Sequence, residues 1–316
     1  MNPAAVGLEV VVLGGAAVDW VAEVETLPVK DGLALARSCT RFPGGSAANV
    51  AVGISRLGRR VGFVGKLGDD ENGQLLLRAF EQERVDMQGI IIEAGRPTAS
   101  CFVGVDRDGN RVIFVLPGAS LIETTAELDL GHLPGRVLYI GPAYVEVATA
   151  AAATGRERGV TVFCAPGGGW GSDGLAQLHP VLEQVDVLLV SRSEAADLTG
   201  LTTPSEAIRR LGRMSPPVVI ETLGAQGAMV LENERLTTVT AFAVAQVRDT
   251  TGAGDAFAAG LVVGFLEGLD WEAAAQLGCA TAALKVRHVG ARSGLPRRED
   301  VASFTGHTQP MSGRDI

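Results

Sequence analysis

Six strand-like apolar runs, separated by segments with helical spacing, constrain the fold of this 316-residue chain more than any other feature. The runs are continuous rather than alternating with polar residues, a pattern that suits strands covered on both faces. Strands that alternate with helices form βαβ units, which assemble into a mostly parallel sheet. We therefore predict an α/β fold in which helices flank a central sheet. The predicted strands span Leu8 to Leu13, Val61 to Val64, Val137 to Ile140, Val160 to Phe163, Val185 to Val190 and Val218 to Ile220.

Two segments break this alternation and are predicted to form a small separate sheet. They cover about residues 20–42 and 98–116, and the second contains the hairpin signal Asp106-Arg-Asp-Gly-Asn110. In an α/β protein such an insertion lies naturally over the carboxyl ends of the strands, where ligands bind. We interpret it as a lid. Its unpaired strand edge offers a surface for a homodimer.

The whole chain, residues 1–316, is predicted to be a single domain that includes the lid segments, because no proline- or serine-rich linker and no block of charge divides it. The polar residues 305–316 are expected to fray as a flexible tail. A net charge of -9 and a pI near 5.1 argue against a nucleic-acid partner. The apolar stretches are too short to cross a bilayer, which argues against a membrane protein. No signal peptide is indicated, so a cytoplasmic location is expected.

The segment Asp249-Thr-Thr-Gly-Ala-Gly-Asp-Ala-Phe257 opens a helix with glycines, although each glycine costs roughly 1 kcal/mol against alanine in a helical turn. A bare first turn exposes N–H groups that have no intrahelical partner and that carry the positive end of the helix dipole. Such a turn can hold a phosphate or a developing oxyanion. Asp255 would then lie where charge is handled. The alternative is an ordinary stabilising acid in a first turn.

A second glycine pair lies in Pro43-Gly-Gly-Ser-Ala-Ala-Asn49, ahead of a helix with an apolar stripe. Its exposed N–H groups, with Ser46 and Asn49 nearby, would suit a neutral polyol; the alternative is a helix that Ser46 caps after a turn. Asp19 follows the first strand and can accept hydrogen bonds from substrate hydroxyls, or simply cap a turn. Leu13 to Asp19 lacks the third glycine of a dinucleotide-binding motif. Neither a phosphate-binding P-loop motif nor a serine-hydrolase motif occurs.

Pro43 to Gly58 together with Asp249 to Gly260 resembles the two signatures of the ribokinase-like (PfkB) carbohydrate kinase family, in the same order and separation. Asp19, Thr222 to Gly227 and Gly290-Ala291 also fall where that family has motifs. The resemblance implies a ribokinase-like fold with a β-sheet lid. It also implies an enzyme that transfers the γ-phosphoryl group of ATP, with Mg²⁺, to a hydroxymethyl group of a sugar, nucleoside or similar small alcohol.

The resemblance also implies a role for each matching residue. Asp255 resembles the general base, a role that agrees with its place in a bare helical turn. The anion hole corresponds to Gly252, Ala253 and Gly254; the acceptor site to Asp19, Gly44, Gly45 and Asn49; and the nucleotide-phosphate loop to Thr222, Gly224 and Gly227.

Three departures from the family pattern concern the nucleotide and the metal ions. The usual Asn-x-x-Glu motif reads Ser191-Arg-Ser-Glu194, so Glu194 is expected to organise Mg²⁺ through water and Ser191 to replace the asparagine. Cys279 stands where many members have an asparagine near the nucleobase. A monovalent cation, K⁺, would use Asp249, Thr251 and the backbone near Gly290.

The acceptor is expected to be a sugar or a sugar derivative. A nucleoside stays an alternative, because apolar residues of the predicted lid could form a wall for a base. Ser191 motivates a further alternative of a different class, a ligand-sensing homologue with little or no catalysis.

Overall fold

A computed structural model of the chain describes residues 7–108, 110–131, 135–169 and 173–307. Its large sheet has nine strands in the order β13-β12-β11-β10-β9-β8-β1-β4-β5, and all pairs are parallel except the two that involve β12. The predicted mostly parallel sheet is therefore confirmed. The strands of this sheet are β1 (Val10–Leu13), β4 (Val61–Gly68), β5 (Asp86–Glu93), β8 (Val137–Ile140), β9 (Thr161–Cys164), β10 (Val187–Ser191), β11 (Val218–Thr222), β12 (Ala228–Glu232) and β13 (Arg235–Val239).

Helices cover both faces of the large sheet and form a separate hydrophobic core on each side. The strand β1 shows the principle: Val10 and Val12 belong to one core, whereas Val11 and Leu13 belong to the other. Successive strand residues point to opposite faces, so a continuous apolar run fills both cores. The helices are α1 (Ser46–Arg56), α2 (Glu71–Gln82), α3 (Val145–Glu157), α4 (Gly174–Leu182), α5 (Arg192–Thr199), α6 (Pro204–Gly212), α7 (Ala253–Leu266), α8 (Trp271–Lys285) and α9 (Arg298–His307).

Four strands form a second, smaller sheet in the order β3-β2-β6-β7, with β2 (Ala17–Val24), β3 (Ala36–Gly44), β6 (Ser100–Val105) and β7 (Arg111–Leu116). Two antiparallel pairs, β2 with β3 and β6 with β7, join through a parallel pairing of β2 with β6. The two predicted insertions therefore meet in one small sheet, as expected.

The structure differs from the sequence prediction at the margins. Beyond the six runs, the sequence also predicts a strand over Ala228 to Leu231, which lies in β12. Two strands of the large sheet, β5 and β13, were not predicted, because both lie at its edges and carry partly exposed residues instead of a continuous apolar run. Residues 305–307 of the predicted flexible tail belong to α9, and residues 308–316 lie outside the described part of the chain. Within the described ranges, no helix combines the length and apolar character needed to cross a membrane.

Candidate active site

The large sheet reverses its strand order beside β1, because β4 and β5 are added on one side and β8 to β13 on the other. In open α/β sheets such a reversal leaves a crevice outside the carboxyl ends of the strands, where ligands bind. A cavity of about 340 Å³, here called cavity A, lies at this position between the two sheets. Its wall includes Gly15 after β1, Gly45 and Ser46 at the start of α1, Cys101 and Val115 from the small sheet, and Pro142 after β8.

Asp19 lies next to cavity A. In the small sheet it pairs in register with Cys101, which lines the cavity, and the two side chains influence each other's pKa. Burial raises the pKa of the Asp19 carboxyl, and the charge of Arg292 partly opposes this shift. A Cβ at Gly44 would collide with the Asp19 carboxylate, so only glycine allows this close approach. The structure thus brings together Asp19, Gly44 and Gly45, three of the residues predicted to bind the acceptor.

Asp255 reaches from the first turn of α7 to the first turn of α1. The Ser46 hydroxyl donates to one carboxylate oxygen of Asp255 at 2.7 Å, and the Asn49 amide donates to the other, also at 2.7 Å. Burial raises the pKa of Asp255 above its ordinary value, although both hydrogen bonds and the nearby charges of Arg292 and Lys285 act in the opposite direction. A carboxylate with a raised pKa and a fixed orientation suits proton abstraction.

Arg292 is a part of this site that the sequence prediction missed. Its side chain is buried, with 6% exposure, and its Nε donates to Oδ1 of Asn49 at 2.7 Å while Nη2 donates to the Gly44 carbonyl, also at 2.7 Å. Burial lowers the pKa of Arg292 to about 10, and the carboxylates of Asp19 and Asp255 limit the shift. The guanidinium orients the Asn49 amide so that its NH₂ group faces Asp255. The position after Gly290-Ala291 carries no local pattern that marks it as part of a site.

The start of α7 has the bare first turn that the sequence predicts. Gly252 adopts a left-handed conformation with φ 77°, and a Cβ there would approach the Ala291 carbonyl oxygen to 2.7 Å. A Cβ at Gly254 would meet no atom within 4 Å. The space in front of Gly254 is therefore open, and packing does not explain this glycine. An open helix start of this kind can accept an anion.

A second cavity of about 430 Å³, here called cavity B, lies against the first turn of α7. Ala253 and Gly254 line it directly. Four residues predicted to bind nucleotide also line it: Thr222, Gly224, Gly227 and Cys279. The remaining wall is mostly apolar and contains Phe242, Val244, Val247, Phe257, Ala282, Ala283 and Val286. An apolar wall next to bare amides suits a ligand with a flat base at one end and phosphates at the other.

Ser191 and Glu194 do not line cavity B; they form a capping box at the start of α5. The Ser191 N–H donates to Glu194 Oε2 at 2.7 Å, and the Glu194 N–H donates to the Ser191 hydroxyl at 3.3 Å. Ser191 pairs in register with Thr222, so this cap lies at the same sheet edge as the predicted phosphate loop. Among the described residues, no group of three or more histidine, cysteine or acidic side chains could hold a metal ion. A Mg²⁺ shared with phosphates needs only one or two carboxylates, and Glu194 offers one.

The three residues predicted to bind a monovalent cation are brought together by their own hydrogen bonds. The Asp249 carboxylate accepts from the Thr251 N–H at 2.8 Å and from the Gly290 N–H at 2.7 Å. Arg111 of the small sheet donates to the Thr251 hydroxyl at 2.6 Å. The small sheet is therefore in direct contact with the segment that leads into α7.

Comparison with known proteins identifies the family once this geometry is established. Residues 8–298 match the description "pfkB family carbohydrate kinase". The chain belongs to this family, and it is a carbohydrate kinase with a ribokinase-like fold.

Several relatives align with most of this chain. An ATP-dependent ribose-1-phosphate kinase from Halopiger xanaduensis is 34% identical over 298 residues, which cover 93% of this chain and 97% of that protein. Fructokinase-1 from Oryza sativa subsp. japonica is 31% identical over 256 residues, or 76% of this chain and 79% of the relative. The structure of Arabidopsis thaliana ribokinase complexed with ribose and ATP superimposes with a TM-score of 0.85 at 26% identity, covering 94% of this chain and 98% of that one.

Proposed function

We propose that this carbohydrate kinase transfers the γ-phosphoryl group of ATP to a hydroxymethyl group of a sugar or sugar derivative. One observation carries the proposal: the first turn of α7, which contains Asp255, has contacts to the walls of both cavities. The Asp255 carboxylate is held by Ser46, which lines cavity A, while Ala253 and Gly254 of the same helical turn line cavity B. A base and an anion hole on one turn can serve an acceptor on one side and a nucleotide on the other.

Each residue has a distinct part in the proposed reaction. Asp255 accepts the proton of the acceptor hydroxyl as its oxygen forms a bond to the γ-phosphorus, and the bond from that phosphorus to the bridging oxygen of ADP breaks. The N–H groups of Gly252 to Gly254 stabilise the charge on the transferred phosphoryl oxygens. Asp19 and Asn49 would bind acceptor hydroxyls. These roles agree with a protein that mainly positions groups and neutralises charge.

The nucleotide and its metal ion would occupy cavity B and the neighbouring sheet edge. Thr222, Gly224 and Gly227 would hold phosphates, and Cys279 would lie near the base. Glu194 would hold Mg²⁺ through water, with Ser191 beside it, and bound Mg²⁺ would neutralise phosphate charge. The acceptor preference for sugars is supported by the mixture of polar and apolar residues around cavity A and by the names of the relatives.

The small sheet is proposed to act as a lid over cavity A. Its contact between Arg111 and Thr251 would link closure to the order of the anion hole. Closure would exclude water, which would otherwise compete with the acceptor for the phosphoryl group. The location in the cell stays a prediction, and we propose the cytoplasm.

The first test is the variant Asp255→Asn. It keeps the shape of the side chain but removes the base, so we expect a loss of turnover of about 10²- to 10⁴-fold with nucleotide binding retained in calorimetry. The matched control is Asp270→Asn at the start of α8, where Asp270 caps the helix and asparagine caps equally well. A wild-type rate for Asp255→Asn with its best acceptor would exclude Asp255 as the base.

The second test is an ADP-release screen with ATP and Mg²⁺ over sugars, phosphorylated sugars, sugar acids, polyols and nucleosides. We expect the highest kcat/KM with a sugar or sugar derivative. A clear preference for nucleosides would replace the proposed acceptor class. Binding of an acceptor and ATP without any ADP release would instead support the ligand-sensing alternative.

A further inference from the structure

Lys285, the last residue of α8, is a buried cation that lines neither cavity. Its side chain has 0% exposure. The ammonium group donates to the carbonyl of Asp249 at 2.9 Å and to the carbonyl of His288 at 3.4 Å. A buried ammonium is stable only if it is hydrogen-bonded and lies in a favourable field. Through these two hydrogen bonds the ammonium joins the segment that precedes α7 to the loop that follows α8.

Nearby carboxylates stabilise the charge of this ammonium from a distance rather than as salt-bridge partners. Burial lowers the pKa of Lys285; the carboxylates of Asp249 and Asp255 oppose this shift, while the charge of Arg111 adds to it. Within the described ranges, no carboxylate oxygen lies within the 4 Å of a salt bridge to Lys285. The positive charge therefore acts on Asp249 and on the start of α7 as a field, and its direct contacts are to neutral carbonyl oxygens.

The same cluster does not fit the monovalent cation that the sequence predicts there. Both oxygens of the Asp249 carboxylate already accept N–H groups, from Thr251 and from Gly290. Carbonyl oxygens that could turn toward a metal ion are instead directed at the Lys285 ammonium. K⁺ and an ammonium group carry the same charge and both bind carbonyl oxygens, so one can replace the other in this cluster.

We propose that Lys285 is the built-in cation of this kinase, so that phosphoryl transfer does not require K⁺. Lys285 is a positioning residue: its ammonium joins Asp249 to the loop of residues 286–290 and places a positive charge behind the anion hole. This inference rests on the proposed kinase function. It replaces the predicted K⁺ site at Asp249, Thr251 and Gly290 with a side chain of the chain itself.

The wild-type protein provides the first test. ADP release is measured with its best acceptor in a buffer whose only monovalent cation is tetramethylammonium. The measurement is repeated with about 100 mM KCl, a roughly physiological ionic strength. We expect less than about a twofold change in kcat, because the cation is already present as Lys285. Stimulation by K⁺ of about tenfold or more would overturn the proposal.

The second test is the variant Lys285→Met, which keeps a long side chain and removes the charge. Without K⁺ we expect kcat to fall about tenfold, less than for loss of a direct oxyanion donor because Lys285 acts from behind the anion hole. Addition of K⁺ or NH₄⁺ should restore part of that loss. Unchanged turnover of Lys285→Met in the K⁺-free buffer would overturn the proposal.

A readout without turnover separates this inference from the kinase proposal. Thermal unfolding is compared in KCl and in tetramethylammonium chloride at equal ionic strength. We expect K⁺ to stabilise Lys285→Met specifically and to leave the wild-type midpoint unchanged. A K⁺-specific rise in the wild-type midpoint would contradict Lys285 as the cation even if no acceptor were found. If no acceptor gives ADP release, the kinase proposal fails while this measurement still decides the role of Lys285.

The chain offers a matched control in Lys66, a second buried lysine. Its ammonium lies 2.7 Å from the Glu127 carboxylate, within reach of two further carboxylates, and away from α7. We expect Lys66→Met to lower the unfolding midpoint because it leaves the Glu127 carboxylate without its cation, whereas Arg96 still pairs with Glu93 and Glu123. It should not acquire a response specific to K⁺. An equal K⁺ response in both variants would show a general effect of losing a buried charge and would overturn the proposal.

Discussion

At the scale of single residues, the candidate site depends on a chain of hydrogen bonds that ends at Asp255. Arg292 orients Asn49, and Asn49 and Ser46 hold the two oxygens of the Asp255 carboxylate. Burial alone would raise the pKa of this carboxyl, and each hydrogen bond to its ionised form lowers that pKa again. The balance between these contributions sets the pH at which the proposed base becomes ionised.

The variant Ser46→Ala tests this balance. The Ser46 hydroxyl lowers the pKa of Asp255, so its removal should raise that pKa and move the acid limb of kcat to higher pH. The measurement is a pH–rate profile with saturating substrates. The control Ser55→Ala removes a hydroxyl that donates to the Glu83 carbonyl from the same helix, and it should leave the acid limb in place. An acid limb that does not move in Ser46→Ala would exclude the hydrogen bond as a determinant.

The variant Arg292→Met tests the orienting role of the buried guanidinium. It removes the donors to Asn49 and Gly44, so the Asn49 amide loses its fixed orientation. We expect kcat to fall about tenfold, with an acid limb that also moves to higher pH because a positive charge near Asp255 is lost. Steady-state kinetics across pH measures both effects.

A purely structural role for Arg292 would give a different result. In that case Arg292→Met would lower the unfolding temperature without moving the acid limb of kcat. The control Arg298→Met removes a partly exposed arginine paired with Glu267, and surface pairs of this kind contribute only about 0–1 kcal/mol. It should leave the pH profile unchanged.

At the scale of elements, the large sheet includes one strand with an unusual buried acid. Glu221 lies in β11 with 0% exposure, and neither of its carboxylate oxygens has a hydrogen-bond partner. Burial raises its pKa to about 7, and the charge of Arg192 opposes the shift only in part. The residue precedes Thr222, so the strand accepts a destabilising group directly before the predicted phosphate loop.

The variant Glu221→Gln should remove a pH dependence of stability. The folded protein holds the Glu221 proton up to a pKa of about 7, whereas the unfolded chain releases it near its ordinary value, so wild-type stability falls as pH rises between the two. Above pH 7 this difference amounts to about 3 kcal/mol. Thermal unfolding from pH 5 to pH 9 should therefore show Glu221→Gln more stable than wild type at pH 8 and similar at pH 5. A difference that is constant with pH would contradict this explanation.

At the scale of the whole molecule, the small sheet exposes apolar residues that its fold does not cover. Phe102 and Phe114 pair in register on β6 and β7, with exposed fractions of 40% and 60%. β7 is also an edge strand of the small sheet. Ile113 and Val115, which flank Phe114 in β7, are exposed as well. Exposed apolar strands at an edge favour association with another chain. We therefore propose a homodimer that forms through the lid.

Sedimentation velocity tests this association. We expect the wild-type protein to sediment as a dimer and Phe114→Glu to sediment as a monomer, because a charge placed in an apolar interface must be desolvated. The control Ile92→Glu puts the same charge at an exposed position of β5, outside the small sheet, and should not change the dimer. A monomeric wild-type protein at micromolar concentration would exclude the proposed dimer.

The parts of the fold that follow from local patterns could be predicted from the sequence. Continuous apolar runs predicted the central strands of the large sheet, and the two interruptions predicted the strands of the small sheet. The edge strands β5 and β13 were missed, since one exposed face removes the continuous pattern. Glycines at the start of α7 predicted an open helical turn, because their conformational cost is a local property that requires an explanation.

The sequence by itself therefore determined the type of fold, the family and some residues that line the two cavities, such as Gly45, Thr222 and Cys279. Only the tertiary structure decided how their charges are held. The hydrogen bonds from Ser46 and Asn49 to Asp255 and from Arg292 to Asn49 span more than 200 residues of chain. The ammonium of Lys285 likewise meets Asp249 across 36 residues. Such contacts depend on which elements the fold packs together, and no periodicity or spacing in the sequence encodes them.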